Sequence, residues 1–251
     1  MLNNQEYIIS ELEKKLYEIL SISAKRLKSL VEVITEILLS KSVKILEISQ
    51  ELKDNYTDAT EESKAKRIYR FLSTSPINPD YICYCFIQKI IKGYVKRNNS
   101  NRIIIIFDHT TLDDGFLILQ FSLKVGKRAI PLWYKIFEYN EKDNKSFEYI
   151  KQGIAELNEI FKPFEYEVLL LADRGFKGVD LFKYIDELGW KYCIRCTNDM
   201  IIKIDGNKKV KYLKDIKPIK DRVKKFDDVL LTEKEYKCNI AVCKAVDSKG
   251  T

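Results

Sequence analysis

Two almost wholly apolar runs limit what this chain can fold into. RIIIIFD covers residues 102–108, and EVLLLAD covers residues 167–173. Short runs of branched aliphatic residues are typical of strands that are buried on both faces of a sheet. Each run ends in an aspartate, Asp108 in the first and Asp173 in the second. We therefore expect an α/β core in which two carboxylates follow two buried strands.

The segments around these runs predict the rest of the core. GFLILQFSLKV and KRAIPLWYKIF flank Gly126 and indicate a hairpin. Apolar periodicity predicts helices over 146–161 and 178–188, and WKYCIRC at 190–196 predicts a third buried strand. The order is strand, strand, strand, helix, strand, helix, strand. This is the order of a ribonuclease-H-like fold with a mixed sheet.

The flanking regions differ from this core. Residues 4–96 show helical periodicity, with helix starts expected at Ser23, near Thr60 and at Asn78-Pro79. From residue 200 onward the pattern is that of β-hairpins. We predict three regions: a helical N-terminal region at 1–98, a ribonuclease-H-like core at 99–198, and a β-rich region at 199–251.

Composition narrows the class of protein. Hydrophobic residues make up 45% of the 251 residues and charged residues 32%, which favours a folded chain over a disordered one. The net charge of +7 and the pI near 8.9 favour polyanionic partners. The sequence has neither an apolar run of about 18 residues nor a secretory signal, so we expect a cytoplasmic protein without a membrane partner.

The six cysteines are scattered in a way that suits a reducing compartment. Cys193 and Cys196 form a C-x-x-C pair, which is half of a zinc-binding pattern. Cys238 and Cys243 are spaced too widely to complete it. We therefore expect plain buried or half-buried thiols at these positions.

The two aspartates are the candidate chemical groups. Side chains that follow neighbouring parallel strands emerge at the same edge of the sheet. Two carboxylates placed together repel each other unless a cation or a proton compensates, and Mg²⁺ prefers carboxylate oxygen. Two such ions can activate the attacking oxygen and stabilise the leaving oxygen in phosphodiester chemistry. Because Asp also commonly begins turns after strands, a structural role for each residue stays open.

Three strings carry a resemblance to a known family. FDHTTL (107–112) resembles the first catalytic motif of insertion-sequence DDE transposases, and LLLADRGF (169–176) resembles the second. AKRIYRFL (65–72) resembles the basic, aromatic segment in the helical region of the insertion-sequence-four group. The 65 positions from Asp108 to Asp173 also suit that group. The resemblance covers roughly residues 60–245.

The resemblance implies that residues 1–98 bind DNA, that 99–198 are a partial catalytic core, and that 199–251 are part of a β-rich insertion. It also implies a function and a site. Asp108 and Asp173 would be the first two catalytic carboxylates and would bind the metal, Mg²⁺ or Mn²⁺, with two ions in a complete enzyme. The reaction would be metal-dependent DNA strand cleavage and transfer during DNA transposition. The partner would be double-stranded DNA at the transposon ends, with nucleoid association when bound, and a homodimer stays open.

The third catalytic residue of this family is a Glu on a final helix, within a Tyr, Arg, Glu, Lys signature. No such string precedes Thr251. Glu233 and Glu235 lie in a strand-like stretch and are not assigned to this role. We therefore expect a C-terminally truncated member that lacks the third carboxylate and is inactive alone.

Five basic residues are candidates for DNA binding. Lys64, Lys66, Arg67 and Arg70 cluster on the fourth predicted helix, and Arg174 belongs to the second motif. Phosphate contacts from these side chains would depend on salt. The alternatives are a solvated helix face for the cluster and a structural salt bridge for Arg174.

His109 is the only histidine and follows Asp108 directly. Adjacent residues on a strand point to opposite faces, so we expect His109 to point away from Asp108. No general-base role is assigned to it.

Two other functions stay open. One is a catalytically dead transposase remnant that only binds DNA. The other, a minor alternative, is a phosphohydrolase like the haloacid dehalogenases, which also have Asp and Thr after a buried strand. That family requires a second Asp two residues after the first, where this chain has Thr110, and Asp113 and Asp114 come too late.

Overall fold

A computed structural model describes seven segments of the chain: 4–52, 59–74, 78–98, 101–112, 115–204, 211–219 and 222–244. The chain divides into two compact units, Met1–Tyr94 and Val95–Thr251. The predicted limits of the three regions stay predictions. Within the described segments, no helix is long and apolar enough to cross a membrane.

The first unit is helical. Its helices are α1 Asn4–Ile19, α2 Ala24–Ser40, α3 Ile45–Glu51, α4 Glu61–Thr74 and α5 Pro79–Asn98, the last of which continues past the unit boundary. Ser23 stands at the N-cap of α2, as predicted. Asn78 caps α5 as predicted, because its side-chain oxygen accepts a hydrogen bond of 2.8 Å from the Asp80 N–H. Apolar side chains from α3 and α4, Ile48 and Ile68 among them, form one small core of this unit.

The second unit contains the predicted mixed sheet. Its strands are β1 Arg102–Leu112, β2 Phe116–Val125, β3 Arg128–Glu138, β4 Glu167–Ala172 and β5 Lys191–Ile194, and the helices are α6 Lys142–Phe161 and α7 Val179–Glu187. The strand order is β3-β2-β1-β4-β5. β1, β2 and β3 pair antiparallel, whereas β4 pairs parallel with both β1 and β5. This topology confirms the ribonuclease-H-like fold class.

Two strand limits differ from prediction. β1 continues past Asp108 to Leu112, because β2 pairs with it as far as the Leu112–Phe116 pair. The expectation that Asp108 ends its strand was therefore wrong. β5 is shorter than the predicted run because its partner β4 ends at Ala172.

One face of the sheet packs against α6. Phe107 of β1 stacks on Phe121 of β2 with ring centroids 4.4 Å apart. Gly153 of α6 lies directly over this layer, since a Cβ there would come within 2.6 Å of the Phe121 ring and 2.8 Å of the Trp133 ring. Only glycine fits at this crossing without movement of the aromatic side chains.

The region after residue 200 forms a second, four-stranded sheet, as the hairpin prediction indicated. Its strands are β6 Ile201–Lys203, β7 Lys211–Tyr212, β8 Lys224–Leu231 and β9 Tyr236–Val242, in the order β7-β6-β8-β9. The predicted hairpin turn at 205–210 and the chain end at 245–251 lie outside the described residues. The second sheet shares a core with α7 and β5, in which Phe182 stacks on Tyr192 with ring centroids 5.2 Å apart.

Candidate active site

The register of β1 and β4 brings Asp108 and Asp173 together. The last parallel pair is Phe107 with Ala172, so the two aspartates are the next residues on neighbouring strands. Such strands lie about 4.8 Å apart. The backbone of Asp173 is still extended, so both side chains share the face of the paired residues Ile106 and Leu171. The two carboxylates therefore leave the sheet on one face and at one edge.

Each carboxylate is exposed and keeps one oxygen available. The Asp108 Oδ1 accepts a hydrogen bond from the His109 N–H at 2.8 Å. The Asp173 Oδ1 accepts one from the Gly175 N–H at 2.7 Å. Both aspartates are exposed to solvent, and neither Oδ2 has a partner within the described segments. These oxygens are free to bind a cation.

A hard divalent cation fits these donors. Mg²⁺ in proteins is commonly bound by one or two carboxylates, with water and substrate phosphate completing the coordination. Among the described residues there is no group of three or more His, Cys, Asp or Glu that could hold a metal ion. Asp113 and Asp114, in the connection from β1 to β2, lie outside the described residues. The described part of the site thus supplies two carboxylates.

The loop after β4 fixes the position of Asp173. Residues Arg174–Phe176 form a 3₁₀ turn, with Asp173 at its N-cap. Phe176 is buried against Phe107, with ring centroids 4.1 Å apart. Gly175 passes close to the carboxylate, since a Cβ there would stand 3.0 Å from the Asp173 Oδ1. The sequence LADRGF therefore forms a compact turn that is anchored by its aromatic residue.

The exposed Arg174 lies directly beside Asp173. In the part of the chain that the structure describes, no acidic residue forms a salt bridge with it. The structural salt bridge considered from the sequence is thus not observed among these residues. An exposed guanidinium on this turn is suited to an anionic ligand such as a phosphate.

Sequence reasoning missed Lys177, which connects the loop after β4 to the chain after β5. Its ammonium group donates a hydrogen bond to the Thr197 hydroxyl and lies 3.5 Å from a carboxylate oxygen of Asp199. The Thr197 side chain and the Lys177 interaction both lower the pKa of Asp199. The partners lie 20 and 22 residues from Lys177 along the chain, and no local pattern signals such a contact.

His109 lies on the face of β1 opposite Asp108, as predicted. It shares the side of Phe107, and its ring meets the Phe176 ring edge-on at 5.2 Å and 84°. A pocket of about 410 Å³ lies on this side, between β2, the N-terminal part of α6 and the loop after β4. The only histidine therefore belongs to the packing behind the carboxylates.

The predicted basic cluster lies on α4. Lys66 forms a 2.7 Å salt bridge with Glu62 on the same helix. Arg67 pairs with Glu32 of α2, so it also connects two helices. Lys66, Arg67 and Arg70 are exposed to solvent, and Lys64 is half-buried. This arrangement presents basic groups to solvent, and their binding to DNA stays a prediction.

Cys193 and Cys196 of the C-x-x-C pair are free thiols. Burial raises the pKa of the Cys196 thiol, and it raises the pKa of the Cys238 thiol to about 11. Cys193 is exposed.

Comparisons with known proteins show which family and which solved structure the chain is similar to. Residues 117–238, slightly less than half of the chain, match the family model described as "Transposase DDE domain". The matched segment includes Asp173 and begins after Asp108. No curated protein matches the sequence, so no named relative supports the insertion-sequence-four group.

Among solved structures, the chain is similar to that described as "Crystal structure of the Mos1 Strand Transfer Complex". The two share 8% sequence identity with a TM-score of 0.28, over 78% of this chain and 79% of the other. A likeness at this level carries no weight for the site. The segment 117–238 is nevertheless similar to the transposase DDE domain, and that match supports a function in DNA transposition.

Proposed function

We propose that this chain is a DDE transposase polypeptide of the insertion-sequence-four group, whose Asp108 and Asp173 bind Mg²⁺ or Mn²⁺ at transposon-end DNA. The parallel register of β1 and β4, which makes these two exposed carboxylates neighbours, carries the proposal. The match of residues 117–238 to the transposase DDE domain supports the class of reaction.

The residues of the site have separate tasks in this proposal. Asp108 and Asp173 bind the metal through their available oxygens, while the Gly175 N–H holds the Asp173 carboxylate in place. Arg174 binds a DNA phosphate next to the carboxylates. When bound, divalent ions supply charge stabilisation for the attacking and leaving oxygens of a phosphodiester.

The number of ligands bears on activity. A complete enzyme of this class is proposed to hold two ions, and the described residues offer two carboxylates for that purpose. Two protein ligands position a metal ion less firmly than three, because fewer fixed contacts define the coordination geometry. We therefore propose that the chain binds metal weakly and does not cleave DNA by itself.

DNA binding in this proposal depends on the first unit as well. Lys64, Lys66, Arg67 and Arg70 on α4 would contact phosphates of double-stranded DNA. The exposure of three of these side chains supports this role. Counterion release would make the affinity fall steeply with salt concentration.

A Mn²⁺ titration followed by electron paramagnetic resonance tests the metal site. Asp108→Asn and Asp173→Asn are each expected to weaken Mn²⁺ binding by about tenfold or more, since each removes a charged ligand. Asp227→Asn is the matched control, because Asp227 is an exposed aspartate on β8 and the charge change is the same. Equal affinity in all three variants would contradict the proposal.

The second candidate is a transposase remnant that binds DNA without catalysis. The pair of carboxylates, with no third acidic residue grouped with them in the described segments, favours it. Strand cleavage by the chain on transposon-end DNA with Mn²⁺ would exclude the remnant and would also contradict the expected inactivity of the chain alone. Mn²⁺ binding that depends on Asp108 and Asp173 separates the two candidates, because a remnant that only binds DNA needs no metal at these carboxylates. The comparisons give no support to the haloacid-dehalogenase alternative. That family requires a second Asp two residues after the first, and this chain has Thr110 at that position.

A further inference from the structure

His109 of the FDHTTL motif lies behind the carboxylates, and no role has yet been assigned to it. We infer that His109 is a positioning residue for Asp173. Its ring supports the Gly175–Phe176 segment, and the Gly175 N–H in turn holds the Asp173 carboxylate. The positioning of Asp173 by His109 is inferred from the contacts alone. Its consequence, a change in the metal affinity of the two carboxylates, rests on the proposed function.

The ring of His109 lies against the turn that follows Asp173. Its Cε1 is 3.8 Å from the point where a Cβ of Gly175 would stand, which is van der Waals distance. Its edge meets the ring of Phe176 at 5.2 Å, with the planes 84° apart. The imidazole thus contacts the Phe176 ring and lies next to Gly175.

The contacts continue from the ring to the carboxylate. Phe176 packs on Phe107, two residues before His109 on β1, with ring centroids 4.1 Å apart. Gly175, which precedes Phe176, donates its N–H to the Asp173 Oδ1 at 2.7 Å. A shift of the Gly175–Phe176 segment relative to Asp173 would lengthen this hydrogen bond.

The His109 ring acts by its shape. Its Nδ1 is buried and has no hydrogen-bond partner within the described segments. Burial of a polar atom without a partner is unfavourable, so this nitrogen does not stabilise the turn. A flat apolar ring of similar size would support the turn in the same way.

Space for movement lies beside the ring. His109, Gly175 and Phe176 all line the pocket of about 410 Å³. Truncation of the His109 side chain would enlarge this pocket and let the turn relax into it. Phe147 of α6 also lines the pocket, so its truncation enlarges the pocket and leaves the His109 ring in place.

The test compares three variants: His109→Ala, His109→Phe and Phe147→Ala. The readouts are the chemical shift and the hydrogen exchange of the Gly175 amide, measured by nuclear magnetic resonance, and the affinity for Mn²⁺. In His109→Ala we expect exchange of the Gly175 amide to rise about tenfold and its proton to shift upfield, because the hydrogen bond opens more often. His109→Phe and Phe147→Ala should keep the wild-type values. Mn²⁺ binding should weaken several-fold in His109→Ala alone.

Three results would overturn the inference. They are an unchanged Gly175 amide in His109→Ala, the same change in His109→Phe, or the same change in Phe147→Ala. If His109→Ala does not fold, His109→Leu provides the comparison without a flat ring. Wild-type protein that binds no Mn²⁺ would contradict the proposed function, whereas the Gly175 amide would still decide whether His109 positions Asp173.

Discussion

Asp108 and Asp173 are the next residues after Phe107 and Ala172, the last pair in the parallel ladder between β1 and β4. The two strands continue differently beyond this point. β1 stays in the sheet through its pairing with β2, whereas the chain after β4 turns away at Arg174. One carboxylate therefore lies on a paired strand and the other at the start of a tight turn.

The basic cluster on α4 is expected to bind DNA phosphates. Arg67→Glu with Arg70→Glu should weaken binding of transposon-end DNA at low salt. The slope of log affinity against log salt concentration should become less steep by about one unit for each lost phosphate contact. A gel-shift titration at several salt concentrations measures both effects.

Arg67→Glu also breaks the ion pair with Glu32, which calls for a control. Glu32→Gln breaks the same pair and leaves Arg67 in place. We expect Glu32→Gln to retain DNA binding. An unchanged gel-shift midpoint in the double charge reversal would discard the DNA-binding role of this cluster.

The packing of α6 on the sheet depends on Gly153. Gly153→Ala is expected to destabilise the protein by about 1–3 kcal/mol, because the added methyl group would overlap the Phe121 and Trp133 rings. Gly93→Ala in α5 is the control, since no atom outside that helix lies within 4 Å of the new Cβ. It should stabilise its helix by up to about 1 kcal/mol. Urea denaturation of both variants measures the difference, and equal stability of the two would contradict the packing.

The tyrosines between the second sheet and the core predict sensitivity to alkali. Burial raises the pKa of Tyr192 from 10.0 to about 12, and burial also raises the pKa of Tyr236. The two hydroxyl groups are hydrogen-bonded at 2.7 Å, and Tyr236 donates to Asp186. A folded-state pKa above the unfolded value gives stability that is complete below pH 10 and is lost as the pH rises towards 12.

The free energy of unfolding in urea, measured between pH 8 and pH 11.5, tests this expectation. The wild type should lose stability above about pH 10. Its free energy of unfolding should fall more steeply with pH than that of Tyr192→Phe, because the variant has one fewer buried phenol to ionise. Parallel curves for the two proteins would show that Tyr192 does not contribute to this loss.

The sequence predicts the parts of the site that depend on short-range pattern. Two apolar runs that each end in Asp were enough to expect two buried strands, each with a carboxylate after its apolar run. The position of His109 followed from strand alternation alone. In each case the local sequence and the geometry of a strand carry all the information.

The contacts that the sequence does not reveal join distant residues. The pairing of Lys177 with Thr197 and Asp199 depends on how the loop after β4 meets the chain after β5. The extension of β1 to Leu112 depends on pairing with β2 and not on the apolar run that predicts the strand. Neither feature has a signal in local composition, because both arise from tertiary packing.

The most direct test of the account is the location of bound Mn²⁺. Crystals grown with Mn²⁺ and measured at the manganese absorption edge would give an anomalous difference map of the metal. The account predicts a peak within coordination distance of carboxylate oxygens from both Asp108 and Asp173, and its loss in Asp173→Asn. A peak at other residues, or an unchanged peak in that variant, would contradict the assignment of these two carboxylates as the metal site.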